Sequence, residues 1–233
     1  MKIFKFLLKH IILLFIIIVS SLIFIAYNNY QTKIKDLPFK DAITNIESKS
    51  NYTSINDIPE YHIHAVISIE DKRFYTHKGI DLISISRAFL EGLSKSNFEA
   101  GGSSITQQLA KNIYLNFDKN IIRKLTEVFM ANMIENTINK DKILELYLNI
   151  IYYGDGYYGI YDASMGYFNK EPKDLNIAEA TLLAGLPQSP SNYQLSNGYD
   201  LALKRYKQVL DSMLNNEYID ENTYNDILNY QFN

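Results

Sequence analysis

The N-terminal segment restricts what this chain can fold into more than any other part of it. No Asp, Glu, Lys or Arg occurs between Lys9 and Lys33, and nearly every residue from 11 to 27 is apolar. A helix needs about 20 such residues to cross a bilayer, and residues 11–30 supply them. We therefore expect one transmembrane helix over 11–30, preceded by a short tail over 1–10.

The charges beside this segment indicate its orientation. Basic residues collect on the cytoplasmic side of a membrane, and three lysines precede the segment, namely Lys2, Lys5 and Lys9. We expect a cytoplasmic N-terminus and an extracytoplasmic domain held at the cell membrane. A cleaved signal peptide also begins with basic residues and an apolar run. The residues at 25–28, Ile-Ala-Tyr-Asn, make a poor small-x-small cleavage site, which favours a retained anchor.

The rest of the 233 residues is enough for one domain with its own core. The net charge of −3 argues against a nucleic-acid-binding protein, which usually carries a basic excess. Because the chain has no cysteine, it has no disulfide, no thiol nucleophile and no cysteine-based metal site. We expect a polar linker over 31–57 and the domain over 58–233.

Helical periodicity dominates this domain. Apolar residues recur at helical spacing over 121–138, and Asn139 is placed to cap the helix that follows. Asn176 and Glu179 have the spacing of a capping box. Strand patterns are scarce, and 61–69 alternates enough for a short strand or an extended segment. The pattern predicts a mainly α domain.

Glu70 is the first candidate for chemistry. It closes the apolar run 65–69, and a carboxylate at the edge of apolar packing holds a proton more readily than one in water. That property suits a general base working near neutral pH. A glutamate paired with Lys72 or Arg73 at a helix start is the simpler interpretation of this residue alone.

Glu127 is the second candidate. It lies four residues after Arg123, a spacing that places both on one helical face, so an ordinary ion pair explains the two by themselves. However, Arg123 is one of four cations between positions 111 and 124, the others being Lys111, Lys119 and Lys124. Such a cluster is usually a solvated face, but a diphosphate site needs several cations together.

A glycine turn at 101–102 leads into a polar helix start. Backbone N–H groups at such a start can receive an anion. Nearby side chains can bond sugar hydroxyls, namely Ser103, Ser104, Thr106, Gln107 and Gln108. A plain capped helix explains the same residues equally well.

Other kinds of site are not supported. His77 is more typical of a structural hydrogen bond than of a metal ligand, and no zinc-binding spacing such as His-Glu-x-x-His occurs. The Gly-x-Gly-x-x-Gly at 154–159 follows a helical pattern, so the strand that precedes a dinucleotide site is missing. The chain also lacks the Ser-x-x-Lys and Lys-Thr-Gly motifs of an acyl-transfer domain.

In order, these motifs resemble those of the peptidoglycan glycosyltransferases, which are the transglycosylase modules of class A penicillin-binding proteins and their monofunctional relatives. The matching patterns are Glu-Asp-x-x-Phe-x-x-His-x-Gly from Glu70, Gly-Gly-Ser-x-Ile-Thr-Gln-Gln-x-x-Lys-Asn from 101, Arg-Lys-x-x-Glu from Arg123 and Ile-Leu-Glu-x-Tyr-Leu-Asn from 143. The resemblance covers residues 58–215. Without transpeptidase motifs, the chain is similar to the monofunctional type.

The resemblance implies a lysozyme-like globular lobe and a smaller jaw lobe near the membrane that includes 82–98. It implies that lipid II is polymerised into β-1,4-linked glycan strands, with inversion and release of undecaprenyl diphosphate. The implied partners are lipid II, the growing strand, the membrane and other cell-wall synthesis proteins, with no nucleic acid.

Carried onto this sequence, the resemblance implies that Glu70 is the general base and that Glu127 lies beside the leaving diphosphate. It implies phosphate binding by Lys111 and Arg123, while Lys119 stands where relatives can have arginine. The motif positions implied to shape the cleft are Asp71, Phe74, His77, Gly79, Gln107 and Gln108. Divalent ions such as Mg²⁺ or Mn²⁺ often bridge phosphates, so a metal at the diphosphate stays open; no organic cofactor is expected.

Two other functions stay open at this point. A lytic enzyme that cleaves glycan strands also uses two carboxylates, although neutral sugars do not call for a group of cations. A non-catalytic scaffold would not need the two glutamates, and both are present.

Overall fold

The computed structural model describes residues 2–86, 102–115 and 120–232. Its longer elements are all helices: α1 (Lys2–Asp36), α2 (Phe39–Glu47), α3 (Glu60–Glu70), α4 (Ile105–Tyr114), α5 (Ile121–Thr137), α6 (Lys140–Ile150), α7 (Ile160–Phe168), α8 (Ile177–Gly185), α9 (Pro190–Tyr193), α10 (Tyr199–Asn215) and α11 (Glu221–Leu228).

Shorter elements connect these helices. Residues 82–86 are also helical, and they are the described part of the expected jaw lobe; the rest of 82–98 lies outside the described residues. Within the described ranges there is no β-strand, and the pairing of Tyr152 with Tyr158 is an isolated bridge. The prediction of a mainly α fold is confirmed. The described part of the chain also contains three single turns of 3₁₀ helix, at Ile55–Asp57, Pro172–Asp174 and Leu186–Gln188.

Helix α1 begins as the predicted membrane span and ends as part of the domain. The helix from Ile3 to Asp36 is long and apolar enough to cross a membrane, with a mean hydropathy of 2.7 over its most apolar window. Further along it packs against α5. The Thr126 hydroxyl lies 3.3 Å from the carbonyl of Ala26, and the Asn29 amide donates to the Thr126 hydroxyl at 3.2 Å. Helix α5 is therefore bonded directly to α1.

The segment 31–57 differs from the expected polar linker. Helix α1 continues to Asp36, and α2 buries Phe39, Ala42 and Ile46 in the core of the domain. These three positions follow the i, i+3, i+7 spacing of one helical face. The polar residues between them gave the segment the composition of a linker and concealed this short apolar stripe.

The structure also corrects the strand or extended segment predicted for 61–69, because these residues lie in α3. Val66, Ile67 and their β-branched neighbours lower helix propensity only slightly. Packing of α3 against both α8 and α10 outweighs that preference. Burying one such side chain contributes about 1.5–3 kcal/mol, and Ala65, Val66 and Ile67 are all buried.

The predicted helix starts are confirmed. The Asn139 side chain accepts a hydrogen bond from the backbone N–H of Lys142. Asn176 and Glu179 form both bonds of the capping box at the start of α8. Each cap satisfies N–H groups that a helix leaves without partners at its first turn. These caps fix where α6 and α8 begin, and so help to set the register of the helices around α3 and α4.

Candidate active site

Glu70 is the last residue of α3, and its carboxylate is held by two distant side chains. Gln108 of α4 donates to its Oε2 at 2.9 Å, and the Arg205 guanidinium of α10 lies 3.2 Å from its Oε1. The simpler interpretation, a pair with Lys72 or Arg73, is wrong as regards Arg73, which pairs with Asp81 instead. The Glu70 side chain remains 11% exposed, so its carboxylate is fixed in position and still accessible to a substrate.

Tyr147 of α6 fixes the orientation of Gln108. Its hydroxyl donates to the Oε1 of Gln108 at 3.2 Å. Burial, together with the nearby Glu70 charge, raises the pKa of Tyr147 well above its usual value, so the phenol stays protonated and acts as a donor. The amide nitrogen of Gln108 is then left to face Glu70, which accepts hydrogen bonds when ionised.

The carboxylate of Glu127, on α5, forms ion pairs with two cations of its own helix. Its Oε1 pairs with Arg123, and its Oε2 accepts from Lys124 at 2.8 Å. The Glu127 side chain is 2% exposed. The predicted i,i+4 ion pair is therefore present, and Lys124 adds a second pair three residues away. A buried carboxylate between two cations holds both of them in place.

Three of these basic residues, Lys111, Arg123 and Lys124, form what we call the cation cluster. Burial and the repulsion of Arg123 lower the pKa of Lys111, while Glu70 acts in the opposite direction. Burial, with Arg123 and Lys111, lowers the pKa of Lys124 to about 8. Lys111 thus interacts electrostatically with Glu70 and with the other two cations, so the cluster reaches from one glutamate toward the other.

Helix α4 connects the two glutamates. Gln108 on α4 bonds to Glu70, and Lys111 follows one turn later. At the other end, the Ser103 hydroxyl accepts a hydrogen bond from Lys124, which pairs with Glu127. Through these contacts, Glu70 and Glu127 both border the cation cluster.

A cavity of about 350 Å³ borders this arrangement. Its lining includes Gln108, Lys111 and Asn112 of α4, together with Tyr152 and Gln188. Amide groups, a hydroxyl and an aromatic face are suited to binding a sugar. The cavity volume lies within the range of small-molecule pockets.

Several of the predicted site residues support the cleft from within the protein. Asp71 accepts from the backbone N–H of Ile105 at 3.0 Å and lies 2.9 Å from the His77 ring nitrogen. Phe74 is fully buried. The backbone N–H of Ile105, expected to be available to an anion, is therefore already bonded to Asp71.

Gly79 brings the same loop against α4 and α5. It has a φ of +68°, and a Cβ there would lie 3.2 Å from the backbone of Ala131. The carbonyl of Gly79 accepts a hydrogen bond from the Ser104 hydroxyl. Only glycine adopts this backbone conformation without strain, so the loop can approach both helices closely.

The polar residues at the start of α4 divide into two groups. Ser104, Thr106 and Gln107 are buried: Ser104 and Gln107 form a capping box, and Thr106 donates to Glu135 at 2.6 Å. Ser103 and Gln108 face the cation cluster and Glu70. The two groups separate positions that stabilise α4 from positions that border the site. Lys119 lies outside the described residues.

One group of side chains among the described residues has ligand atoms close enough for a metal ion. It consists of Asp71, His77 and Asp81, whose ligand atoms lie within 4.8 Å of one another. Asp81 already pairs with Arg73 and accepts from Ser84 at 2.6 Å. Asp71 is bonded to His77 and Ile105. These contacts fit a structural role for His77, as its sequence context predicts.

The motifs did not reveal Arg205 as a partner of Glu70, or Tyr147 as a partner of Gln108. A pattern for Arg205 does exist in the sequence, because it lies at helical spacing among Ala202, Tyr206 and Val209, all buried. A lone basic residue on the apolar face of a helix needs a buried acidic partner. The sequence does not say which acid that partner is.

The sequence profile of the transglycosylase family matches residues 40–214. The chain therefore belongs to the transglycosylase family, and the predicted class of enzyme, a glycosyltransferase, is confirmed.

Individual relatives agree with the family profile. The chain is 44% identical over 173 residues to penicillin-binding protein 1A of Neisseria lactamica, which covers 74% of this chain and 22% of the relative. It is 47% identical over 166 residues to penicillin-binding protein 1F of Bacillus subtilis strain 168, covering 71% and 23%. The chain thus spans less than a quarter of these relatives.

A solved structure is also similar to this chain. It is the crystal structure of penicillin-binding protein 1A from Haemophilus influenzae, with 22% identity and a TM-score of 0.47. The match covers 77% of this chain and 17% of that protein.

Proposed function

We propose that this chain polymerises lipid II into β-1,4-linked glycan strands and releases undecaprenyl diphosphate. The observation that supports this most is the arrangement along α4, with a partly exposed carboxylate, Glu70, on one side and the cation cluster on the other. An attacking hydroxyl needs a base, and a departing diphosphate needs positive charge. The base on α3 and the cations on α4 and α5 are brought together around α4.

In the proposed reaction, the 4-hydroxyl of N-acetylglucosamine in an incoming lipid II gives its proton to Glu70. The hydroxyl oxygen forms a bond to the anomeric carbon of the terminal N-acetylmuramic acid of the growing strand. The bond from that carbon to the diphosphate oxygen breaks, and its electron pair leaves with the diphosphate. A single displacement converts the α-linked donor into a β-linked product.

The cation cluster takes the place of a general acid in this proposal. Diphosphate is already a good leaving group, so neutralising its developing charge is more useful than protonating it. Preorganised charges in a partly dry cleft do this without reorganising at the moment of reaction. Lys111, Arg123 and Lys124 are assigned to the leaving diphosphate, and Glu127 is assigned to holding Arg123 and Lys124 beside it.

A divalent ion, Mg²⁺ or Mn²⁺, fits this site as a companion of the diphosphate. Mg²⁺ is usually held by substrate phosphates, waters and one or two carboxylates. The carboxylate nearest the cluster is Glu127, and both of its oxygens are paired with cations. Such an ion would therefore be held by the substrate's phosphates and by water, and it would help to neutralise the diphosphate.

The membrane anchor has a place in the same proposal. Both substrates are lipid-linked, so an enzyme tethered to the bilayer meets them in two dimensions, which raises their effective concentration. With the N-terminus in the cytoplasm, the domain acts outside the cell membrane, where other cell-wall synthesis proteins are candidate partners. Helix α5, which bears Arg123 and Lys124, is bonded to the anchor near Ala26, so the diphosphate site is held close to the lipid surface.

The test is to incubate the purified full-length chain with lipid II and, separately, with finished glycan strands. The proposal predicts glycan polymer and released undecaprenyl diphosphate from lipid II, with finished strands left intact. Repeating the assay with EDTA, and then with Mg²⁺ or Mn²⁺ restored, tests the metal. Cleavage of finished strands without polymerisation would favour a lytic enzyme, and no reaction with either would favour a scaffold.

A further inference from the structure

A second cavity, of about 370 Å³, lies beside the one that borders the proposed active site, and we call it the side cavity. Its lining includes Ala42, Asn45, Ile46, Lys49, Asn112 and Tyr158. Asn112 lines both cavities. Tyr158 is 56% exposed and stacks on Tyr152 of the first cavity, with ring centroids 4.7 Å apart. A ligand in the first cavity can therefore extend into the side cavity past Asn112.

Helix α2 gives the side cavity an apolar floor and a polar rim. Ala42 and Ile46 are buried and lie four residues apart, so they share one face of the helix. Asn45 and the position four residues later, Lys49, are exposed and line the same cavity. Small apolar side chains of a ligand fit the floor, and its polar groups fit the rim.

Lys49 brings an uncompensated positive charge to this rim. It forms no ion pair with another of the described residues, whereas the nearby Glu47 is paired with Lys142. No carboxylate occurs among the described residues that line the cavity. A lysine bonds strongly to a carboxylate, so the charge favours a ligand that has a free carboxylate.

Asn112 adds a hydrogen-bonding group where the two cavities meet. Its side-chain NH₂ group donates to the carbonyl of Gln108 at 2.8 Å. The Oδ1 of the same amide is then the atom that can accept a bond from a ligand. With Asn45 on the rim, the side cavity offers two amide side chains, which are suited to bonding the N–H and C=O groups of a peptide.

Contacts within the protein hold the side cavity in shape. Lys142 of α6 pairs with Glu47 at 2.5 Å and so fixes the end of α2. Gly159, which follows Tyr158, has a φ of +87°, and a Cβ there would lie 2.5 Å from the backbone oxygen of Asn149. Only glycine allows this close approach. A cavity that is already formed lowers the cost of ordering on binding.

We propose that the side cavity binds the peptide that N-acetylmuramic acid carries in lipid II, with the terminal carboxylate of the peptide at Lys49. This inference rests on the proposed function, in which lipid II is the substrate. An extended peptide spans about 3.3–3.6 Å per residue, so a few residues reach from a sugar in one cavity to the other. The peptide lies away from the reacting atoms, so the side cavity contributes to substrate binding and selection.

The other parts of lipid II match the side cavity less well. A prenyl chain has no polar group for Lys49, Asn45 and Asn112. A neutral sugar stacks on tyrosine and bonds to amides, but it leaves Lys49 without an anionic partner. The diphosphate is assigned to the cation cluster.

The test measures polymerisation by the full chain with three forms of lipid II. One has the complete peptide, the second has a carboxamide in place of the terminal carboxylate, and the third has no peptide. Lys49→Gln removes the charge, and Asn45→Trp fills the cavity from its rim. Lys40→Gln is the matched control, because it removes an exposed cation of α2 that is not part of the cavity lining. Circular dichroism and thermal unfolding establish that each variant is folded.

For the wild-type chain we expect KM to rise about threefold with the carboxamide form, the modest effect typical of an exposed ion pair. The form without peptide should raise KM further, and kcat should stay close to its usual value in both cases. Lys49→Gln should raise KM about threefold for the complete peptide and leave KM for the carboxamide form unchanged. Asn45→Trp should raise KM for the complete peptide and have little effect without it. Lys40→Gln should behave as wild type.

Two results would overturn the inference. One is a wild-type chain with the same KM for all three forms. The other is a rise in KM in Lys49→Gln that is equally large for the carboxamide or peptide-free form, which would assign the side cavity to a sugar or lipid part of the substrate. If Asn45→Trp does not fold, Lys49→Gln decides by itself. A wild-type chain that uses none of the three forms would instead refute the proposed function.

Discussion

Glu70 and Glu127 both flank α4, yet their carboxylates are held in opposite ways. Glu127 is 2% exposed and is closed by Arg123 and Lys124, four and three residues earlier on the same helix. Glu70 is 11% exposed, and its partners lie 38 and 135 residues away on two other helices. One carboxylate is saturated by local cations, and the other is oriented from a distance and left partly open.

This difference suits the two glutamates to different tasks, namely accepting a proton and holding cations in place. A carboxylate between two cations is a poor proton acceptor, because its charge is already neutralised, but it holds those cations in place. A carboxylate with one cation, one amide and some exposure can still receive a proton from a substrate. This difference supports the proposal that Glu70 is the base and that Glu127 holds the cations of the diphosphate site.

Of the substitutions that test this difference, Glu70→Gln should have the largest effect on activity. For Glu70→Gln we expect polymerisation to fall by about 10²–10⁴-fold, the usual contribution of a general base. KM for lipid II should stay close to wild type and the unfolding temperature should fall only modestly, since glutamine keeps the shape and its one amide oxygen can still accept from Arg205, although its NH2 group cannot accept from Gln108. Steady-state kinetics with lipid II measure this. Normal strand synthesis by the variant would remove Glu70 from the role.

The cation cluster should give the next largest effect. In Lys111→Ala and Arg123→Ala we expect kcat/KM for lipid II to fall by about 10–100-fold, because a hydrogen bond to a charged group contributes about 1.5–3 kcal/mol. Lys204→Ala, which removes an exposed cation of α10, is the matched control. Unchanged kinetics in both cluster variants would contradict the diphosphate site.

Glu127→Gln tests the supporting role directly. We expect kcat/KM to fall by about tenfold, and the unfolding free energy to fall by about 1–3 kcal/mol, because Arg123 and Lys124 lose their shared partner. The control is Glu135→Gln on the same helix, where Glu135 pairs with Lys140 and lies 7% exposed. It should lose stability with little change in kinetics. A larger loss of kcat in Glu127→Gln than in Glu70→Gln would reverse the assignment of the two residues.

Lys124 should give the smallest effect, and it appears at alkaline pH. Its pKa is lowered to about 8, so the charged form predominates at neutral pH and is lost as the pH rises through 8. At pH 9 about nine in ten Lys124 side chains are neutral, and we expect kcat/KM to fall several-fold there. Lys124→Arg keeps its charge and should remove this alkaline decline. An identical decline in that variant would mean that another group titrates.

The two glutamates also show which parts of the site can be predicted from the sequence and which cannot. The surroundings of Glu127 follow from helical spacing, since the i,i+4 relation to Arg123 and the helix over 121–138 are local properties. The partners of Glu70 depend on the packing of α3, α4 and α10, whose contacts span up to 135 residues. Local patterns carry no information on which distant helix supplies a partner.

The same limit explains the two differences in the fold. The region of α3 was expected to be extended because alternation and β-branched residues are local preferences, while its helix is favoured by burial between α8 and α10. The segment 31–57 was expected to be a linker because its apolar residues are few. Phe39, Ala42 and Ile46 become recognisable as core residues only when the rest of the core is in place.

The central claim is that Glu70 acts as a base in one direct displacement. The anomeric configuration of the first bond that the wild-type chain forms from α-linked lipid II tests this most directly, and NMR of the isolated product reads it. The account predicts a β-1,4 linkage, formed with inversion. An α linkage would require a covalent intermediate on a carboxylate, and would contradict the assignment of Glu70.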